Sequence, residues 1–444
     1  MRTIKRFLIL FLLGVTALWL LADTLAPRPF NYFAFRGVFV QYSGVLAIMA
    51  MSVAMLLALR SRWFEARLNG LDKAYRLHKW LGITALVVSA LHWWMAKGTK
   101  WMVGWGWLER PARGRGEGPT LGGLAQWFQD QRGFAESVGE WAFYILLVFL
   151  ALALIKRFPY HLFQKTHRLI ALVYLALAYH SVVLTKFSYW KQPVGWLMAA
   201  LLLGGTVVAL VSLAGRIGAR RQVKARVDSL IDYPELNVLE TSLTMEPGWP
   251  GHRAGQFAFL TADRKEGAHP FTIASDWDPA TRKMVFITKA LGDYTRRMNE
   301  GLAPGVEVKV EGPYGGFTFD DQCPRQIWVG AGIGITPFVA RMKQLARQPD
   351  GRQIDLFHPS ADVSPAALER LRADAEAAGV RLHLVLGKGP RRVDGTMIRE
   401  AVPHWREASV WFCGPSGFGT ALRTDFTAHG LAAAHFHQEL FEMR

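Results

Sequence analysis

The sequence predicts a membrane α-helical bundle of six helices, joined to an antiparallel β-barrel and then to an α/β domain built on a parallel sheet. Three observations predict it. Six apolar stretches, at 7–22, 38–59, 78–96, 138–155, 168–185 and 194–214, fill the first half, and each is near the length of about 20 residues that a membrane span needs. Short β-type runs separated by turn residues follow, at 222–229, 236–245, 256–262, 283–289 and 305–311, the pattern of a small antiparallel barrel. From residue 325 onward strands and helices alternate, as in a doubly wound, nucleotide-binding sheet. The expected domains are therefore 1–215, 216–320 and 321–444, with Arg216–Gln222 as the hinge after the membrane part.

A chain of 444 residues is too long for one compact domain. Its hydrophobic content of 51% is concentrated in the first half, so a membrane module precedes soluble ones. The formal charge of +17 raises nucleic-acid binding as an alternative. The basic residues argue against it, because they flank apolar stretches: Arg2, Lys5 and Arg6; Arg60, Arg62 and Arg67; Lys156 and Arg157; Arg216, Arg220 and Arg221. Cytoplasmic loops of membrane proteins look like this. Cys323 and Cys413 belong to no CxxC pair, which removes a disulfide framework and a structural zinc site.

The same charges set an orientation. The N-terminus, 60–77, 156–167 and everything after 215 fall inside, and 97–137 outside. That is a multi-pass protein of a bacterial inner membrane with its soluble domains in the cytoplasm. Trp101, Trp105 and Trp107 suit an outer interfacial cap. The first stretch, short and with a basic start, also fits a cleaved signal peptide; a retained helix is the favoured reading, and later spans keep their direction either way.

Four histidines fall in or at the ends of these stretches: His78 and His92 on the third, His167 and His180 on the fifth. Imidazole in lipid is costly without a partner, so each requires an explanation. Both stretches run from inside to outside. His78 and His167 thus lie near the cytoplasmic face, His92 and His180 near the outer one. Two imidazoles on opposite sides of an iron porphyrin make a six-coordinate b-type haem, suited to electron transfer because no axial position stays open. His78 and His92 are fourteen residues apart, about 21 Å of helix and close to four turns, so both rings share a face with room for one haem per leaflet. His167 and His180 are thirteen apart, about 3.6 turns, and a kink, a π-bulge or strongly different ring orientations is expected there. Polar core histidines bonded between helices are the plainer alternative, which two matched pairs disfavour. His161 is a rival ligand, although its basic loop suits a surface role. Arg76, Lys79, Lys165 and Arg168 cluster near the inner pair, as propionate partners or as charges facing lipid headgroups.

In the soluble half, His269-Pro270-Phe271-Thr272 leads to Ser275. An extended segment of this kind can lay backbone groups and a hydroxyl along a flat ring system. Gly292 and Thr295 precede a helix containing Arg296 and Arg297. N–H groups at a helix start favour a pyrophosphate, and an ordinary capped helix accounts for the same residues equally well. Glu311–Gly316 ends the barrel with a tight turn. The strand Ile327–Val329 then runs into Gly330-Ala331-Gly332-Ile333-Gly334-Ile335-Thr336-Pro337 and a helix. Glycines let the main chain approach phosphates, and proline suits the first helical turn. The spacing is not G-x-G-x-x-G, so an ordinary dehydrogenase is not implied, but strand, Gly-rich turn and helix together remain a dinucleotide signal. Cys413-Gly414-Pro415 ends a strand at the carboxyl edge, where such sheets bind ligands. Cys413 sits there beside a nicotinamide or as a buried structural cysteine. Near the end of the chain, Phe441 either covers a flavin ring or simply packs. Ser360, Lys388, Arg391 and Arg392 can meet a 2′-phosphate, which leaves NADPH against NADH open.

With these residues in view, the chain resembles the ferric reductase and NADPH oxidase superfamily over nearly its whole length. H-x13-H at His78/His92 and H-x12-H at His167/His180 match the oxidase branch. The soluble half resembles a ferredoxin-reductase-like module: His269–Thr272 is similar to its HPFT flavin motif, Gly330–Pro337 to its nicotinamide-nucleotide glycine motif, and Cys413–Pro415 to its CGP motif. Phe441 is similar to the family's terminal flavin-stacking aromatic, except that three residues follow it. The resemblance implies FAD, two b-type haems as the charge of those four histidines, and NADPH or NADH as substrate, with Cys413 and Phe441 nearest the hydride transfer.

It also implies an order. The nucleotide gives up two electrons together, a haem takes one at a time, and the flavin must split the pair. Electrons leaving for the outside are favoured by about 2.3 kcal/mol per 100 mV of membrane potential. The expected acceptor is oxygen or a ferric chelate. A dedicated periplasmic partner protein is the alternative acceptor, and a non-enzymatic sensor or transporter a third class, disfavoured by the complete nucleotide motifs and by the lack of broken, repeated helices.

Overall fold

The computed structural model describes residues 2–68, 70–109, 123–155, 157–263, 266–387 and 392–439. Lys156, Lys388, Arg391 and Phe441 lie outside them. The chain divides into two compact units, 1–64 with 73–217, and 65–72 with 218–443.

The first unit is helical. Its elements are α1 (Arg2–Leu20), α2 (Tyr32–Ala58), α3 (Arg62–Leu68, whose end passes into the second unit), α4 (Leu71–Trp93), a π-helical turn (Trp94–Gly98), α5 (Thr99–Gly104), α6 (Leu124–Leu154), α7 (Tyr160–Leu184) and α8 (Pro193–Leu213). Among the described residues, four helices are long and apolar enough to cross a membrane: α2, α7, α8 and the Gln126–Leu154 part of α6. The other two expected spans are helices as well, but α4 opens with Asp72, Lys73, Arg76 and Lys79, and neither it nor α1 joins that group.

α2 is the most enclosed of these four, with an unbroken buried run from Val45 to Ala54. It is apolar on all sides, as a helix with neighbours around it must be. α2 starts six residues before the expected stretch, because Asn31 caps it by accepting from the Ala34 N–H (2.9 Å). α6 begins well before the expected position 138. Its first turns are polar and held by local bonds such as Gln126 to Asp130 (2.8 Å), which an apolar-stretch criterion passes over.

Of the alternatives expected for the fifth span, no π-bulge is present: α7 is one uninterrupted α-helix. A π-helical turn follows α4 and starts two residues after His92. Its loosened carbonyls are taken up by Arg36, whose Nε donates to Met95 O (2.9 Å) and Nη2 to Ala96 O (2.8 Å). The thirteen-residue step of α7 is absorbed by its side chains. His167 stacks on Phe163 in the preceding turn (5.0 Å, 28°), while His180 is held by a carbonyl of α6.

The second unit contains two sheets. β1 (Gln222–Tyr233), β2 (Val238–Met245), β3 (Phe257–Thr261), β4 (His269–Thr272), β5 (Lys283–Lys289) and β6 (Glu307–Tyr314) form an antiparallel sheet in the order β4-β3-β6-β1-β2-β5. One bridge, Ile273 to Phe286, links its two edges. The HPFT segment, expected to be extended, forms strand β4, paired with β3 from Phe257↔Thr272 to Leu260↔His269. Alternation puts Ala225, Val227, Leu243, Phe286 and Val310 into the core. α9 (Asp293–Gly301) packs beside it.

The second sheet is wholly parallel: β7 (Arg325–Gly330), β8 (Gln353–Ser360), β9 (Arg381–Leu386), β10 (Ala408–Cys413) and β11 (Phe436–Gln438), in the order β11-β10-β7-β8-β9. Between them run α10 (Thr336–Arg347), α11 (Pro365–Ala377), α12 (Gly395–Ala401) and α13 (Ser416–Ala428). The strand order reverses between β7 and β10, which is where sheets of this kind take ligands.

Candidate functional site

In the helical unit, α4 and α7 bring the four histidines together as two pairs. The His78 and His167 ring centroids are 5.8 Å apart with planes at 63°. Those of His92 and His180 are 6.3 Å apart at 82°. Two imidazoles bound through Nε2 to opposite sides of one iron have centroids about 6 Å apart, since each metal–nitrogen bond is about 2 Å. The spacing of both pairs fits that geometry.

The outward-facing nitrogens are consistent with it. His78 Nδ1 lies 2.8 Å from Ala54 O, His180 Nδ1 2.8 Å from Ala135 O, and His92 Nδ1 3.0 Å from Val40 O with Ser43 Oγ at 3.2 Å. Carbonyls accept only, so each of these Nδ1 atoms carries the proton and leaves Nε2 with a free lone pair. A ligating histidine is commonly fixed in this way. His167 differs: among the described residues its buried Nδ1 has no partner.

Glycines make room for the outer pair. A Cβ on Gly139 of α6 would run into the His180 ring, and one on Gly44 of α2 would come within 3.3 Å of His92 Cε1. Neither glycine, nor the carbonyls of Val40, Ala54 and Ala135, carries a sequence signal. Tyr174, fully buried between the two histidines of α7, bonds Ser52 of α2 (2.8 Å). Among the described residues no cluster of three or more His, Cys, Asp or Glu is placed to hold a metal; the pairs offer two ligands each.

In the second unit, His269, Pro270, Phe271 and Thr272 lie along β4 at the sheet edge. His269 stacks on Tyr294 (4.0 Å, 9°), and burial pushes its imidazole down to about 4, so it is neutral. The Thr272 hydroxyl is buried and without a partner among the described residues, the kind of orphan group that a bound molecule satisfies. Ser275 is committed elsewhere: its Oγ accepts from Val285 N–H (3.1 Å). The Thr295 hydroxyl accepts from the Leu291 and Gly292 N–H groups (3.0 Å each), the arrangement of a self-capped helix.

The two remaining motifs meet at the switch point. Cys413 pairs with Gly330 in register, and Ala331 N–H donates to Cys413 O (2.9 Å). A Cβ on Gly334 would strike that same carbonyl, so glycine is required for the approach. Gly332–Ile335 form a tight turn, and Thr336 with Pro337 opens α10. His358 Nδ1 from β8 reaches Gly330 O (2.6 Å). The Cys413 side chain is wholly buried in the core with Trp328, Phe338 and Trp411. Burial, and then Glu439, hold its thiol well above the usual range. The thiol thus packs inside the domain, with Gly414 and Pro415 following at the strand's exit. Ser360 ends β8, and Arg392 is exposed.

Residues 43–178 match the family model described as ferric reductase like transmembrane component, a segment holding His78, His92 and His167 and ending two residues before His180. The chain is 27% identical over 242 residues to an NADPH oxidoreductase of Mycobacterium tuberculosis, covering 52% of this chain and 62% of that protein. It is 26% identical to respiratory burst oxidase homolog protein E of Arabidopsis thaliana, covering 46% and 24%. With ferric reduction oxidase 5 of the same plant the identity is 33%, covering 24% and 19%. The chain thus spans less than two thirds of the length of these relatives. The matched transmembrane segment and these relatives, with the paired histidines and the two-sheet unit that follows, support a place for this chain in the ferric reductase and NADPH oxidase superfamily.

Proposed function

We propose that this chain is a transmembrane oxidoreductase that moves electrons from cytoplasmic NADPH or NADH, through FAD and two b-type haems, to oxygen or a ferric chelate outside. The reading includes six spans of a bacterial inner membrane, a flavin domain over 216–320 and a nucleotide domain over 321–444. The observation that carries it is the doubled histidine pair: two facing imidazole couples, each at the separation one iron needs.

When bound between the histidine pairs, haem would supply a one-electron centre, and bound FAD would supply the step from a hydride to single electrons. The chain's own contribution is orientation. The carbonyls of Ala54, Val40 and Ala135 fix the tautomer of three of the histidines. Gly139 and Gly44 keep the outer pair unobstructed. β4 offers its edge and the Thr272 hydroxyl to the flavin, and the Gly330–Pro337 turn offers main chain to a pyrophosphate at the start of α10.

The test is the full chain purified in detergent from haem-replete cells. Two haems per chain with b-type reduced spectra, and nucleotide oxidation with oxygen, chelated iron and cytochrome c supplied separately, are expected. A haem-free preparation sinks the reading. Reduction of a periplasmic protein, but of neither oxygen nor chelated iron, makes the chain a donor to a dedicated partner instead.

A further inference from the structure

We propose that the ion pair between Asp362 and Lys289 makes this chain selective for NADH over NADPH. The inference rests on the reading above, in which a nicotinamide dinucleotide lies across the parallel sheet.

In a sheet of this order the pyrophosphate sits at the glycine turn, and the two halves of the dinucleotide extend to either side of the switch point. The turn here is Gly330–Pro337, between β7 and β10. With the nicotinamide half toward Cys413–Pro415 on β10, the adenosine half lies over the carboxyl end of β8. A carboxylate at that place hydrogen-bonds a ribose 2′-hydroxyl, whereas an arginine accommodates a 2′-phosphate.

β8 ends at Ser360, and its tip is tied on two sides. The Ser360 hydroxyl donates to Asp362 O (2.7 Å), and the Gly387 N–H at the end of β9 donates to Ser360 O (2.9 Å). The turn so formed presents the Asp362 carboxylate, which lies 3.1 Å from Nζ of Lys289, the last residue of β5. The carboxylate is the more exposed partner, at 42% against 24% for the lysine. The carboxylate thus stays open to a ribose while it pairs with the lysine. A 2′-hydroxyl can donate to it. A 2′-phosphate brings two more negative charges against it, while the nearby cation is already engaged, and a contact of like charges discriminates by rejecting the wrong ligand.

The pair also predicts how the preference is undone. Without the carboxylate, the Lys289 ammonium is a free point charge of the kind that binds phosphate. The measurement is kcat/KM for NADH and for NADPH, on the full FAD-loaded chain in detergent, with ferricyanide as electron acceptor so that the haems are not needed. The wild type is expected to favour NADH by on the order of tenfold or more. Asp362→Ala raises the NADPH value roughly tenfold and lowers the NADH value only a few-fold, and Asp362→Ala/Lys289→Ala removes the NADPH gain. The near-isosteric Asp362→Asn, checked for retained FAD, follows Asp362→Ala in direction. A wild type that prefers NADPH, or an NADPH/NADH ratio unmoved by both Asp362 variants, overturns the proposal and leaves the electron-transfer reading standing. No turnover with either nucleotide overturns both.

Discussion

His92 and His180 face each other from α4 and α7 at 6.3 Å between ring centroids, and each is anchored at Nδ1 by a backbone carbonyl, Val40 for one and Ala135 for the other. The pair is thus oriented by main chain that cannot swing away, and what it can bind is set by the space between the rings.

Removing one ring from the outer pair is expected to remove one centre. His92→Leu should purify with one haem in place of two and lose acceptor reduction by at least about tenfold, with nucleotide oxidation by ferricyanide retained. Haem quantification beside the optical spectrum decides it. Two haems bound as before would end the assignment.

Gly139 gives a test that leaves every histidine in place. A Cβ there would run into the His180 ring, so Gly139→Ala should displace the imidazole and weaken or abolish the outer haem. Gly133 on the same helix has nothing within 4 Å of its would-be Cβ, and Gly133→Ala should bind haem like the wild type. A shared phenotype would mean that helix propensity, not the ring contact, is at issue.

At the nucleotide turn, Gly334→Ala places a methyl against the Cys413 carbonyl and 3.0 Å from the Gly414 N. Both are backbone atoms and cannot rotate aside. Flavin reduction by nucleotide, followed by stopped flow, should slow by roughly 100-fold with FAD content unchanged, an effect of the size expected when reactants are misplaced by about 1 Å. Gly417→Ala, whose Cβ meets nothing within 4 Å, is the matched control.

Acid should loosen the flavin-side sheet through His252. Burial pushes this imidazole down to about 4, offset only in part by its bond to Ser275 O (3.1 Å). The folded value lies below the ordinary 6.5 of the unfolded chain, so the unfolded state binds the extra proton. The stabilisation is complete above pH 6.5 and is lost as pH falls from there toward 4, with a slope of up to about 1.4 kcal/mol per pH unit. Thermal release of flavin, followed from pH 7.5 to 4.5, should show the midpoint falling across that window. His252→Gln should flatten the fall, and an unchanged slope would place the acid sensitivity elsewhere.

Much of the candidate site is legible because its residues are close in the chain or regularly spaced. His78 and His92 stand fourteen apart on one helix, and periodicity alone puts them on one face. The Gly330–Pro337 turn and Cys413–Pro415 sit where strands visibly end. Other parts are silent in the sequence. The carbonyls of Val40, Ala54 and Ala135 belong to unremarkable apolar residues. Asp362 and Lys289 are 73 positions apart, one in the turn after β8 and the other at the end of β5, with nothing in either neighbourhood to announce the other. Of the alternatives expected for the thirteen-residue step in α7, the helix keeps its regular hydrogen bonding and the side chains take up the misalignment, because side chains have rotamers to spend while breaking a helix in lipid leaves backbone groups without partners.

Local hydropathy, spacing and glycine placement were enough to mark most helices and strands, the histidines that need partners, and the turns that can approach a phosphate. Three-dimensional packing set the rest: the histidines face each other in pairs, the Cys413 side chain is buried, and Asp362 meets Lys289 beyond the end of β8. Those outcomes depend on atoms from separate elements meeting within a few ångströms, and no property of a single segment specifies which element arrives opposite.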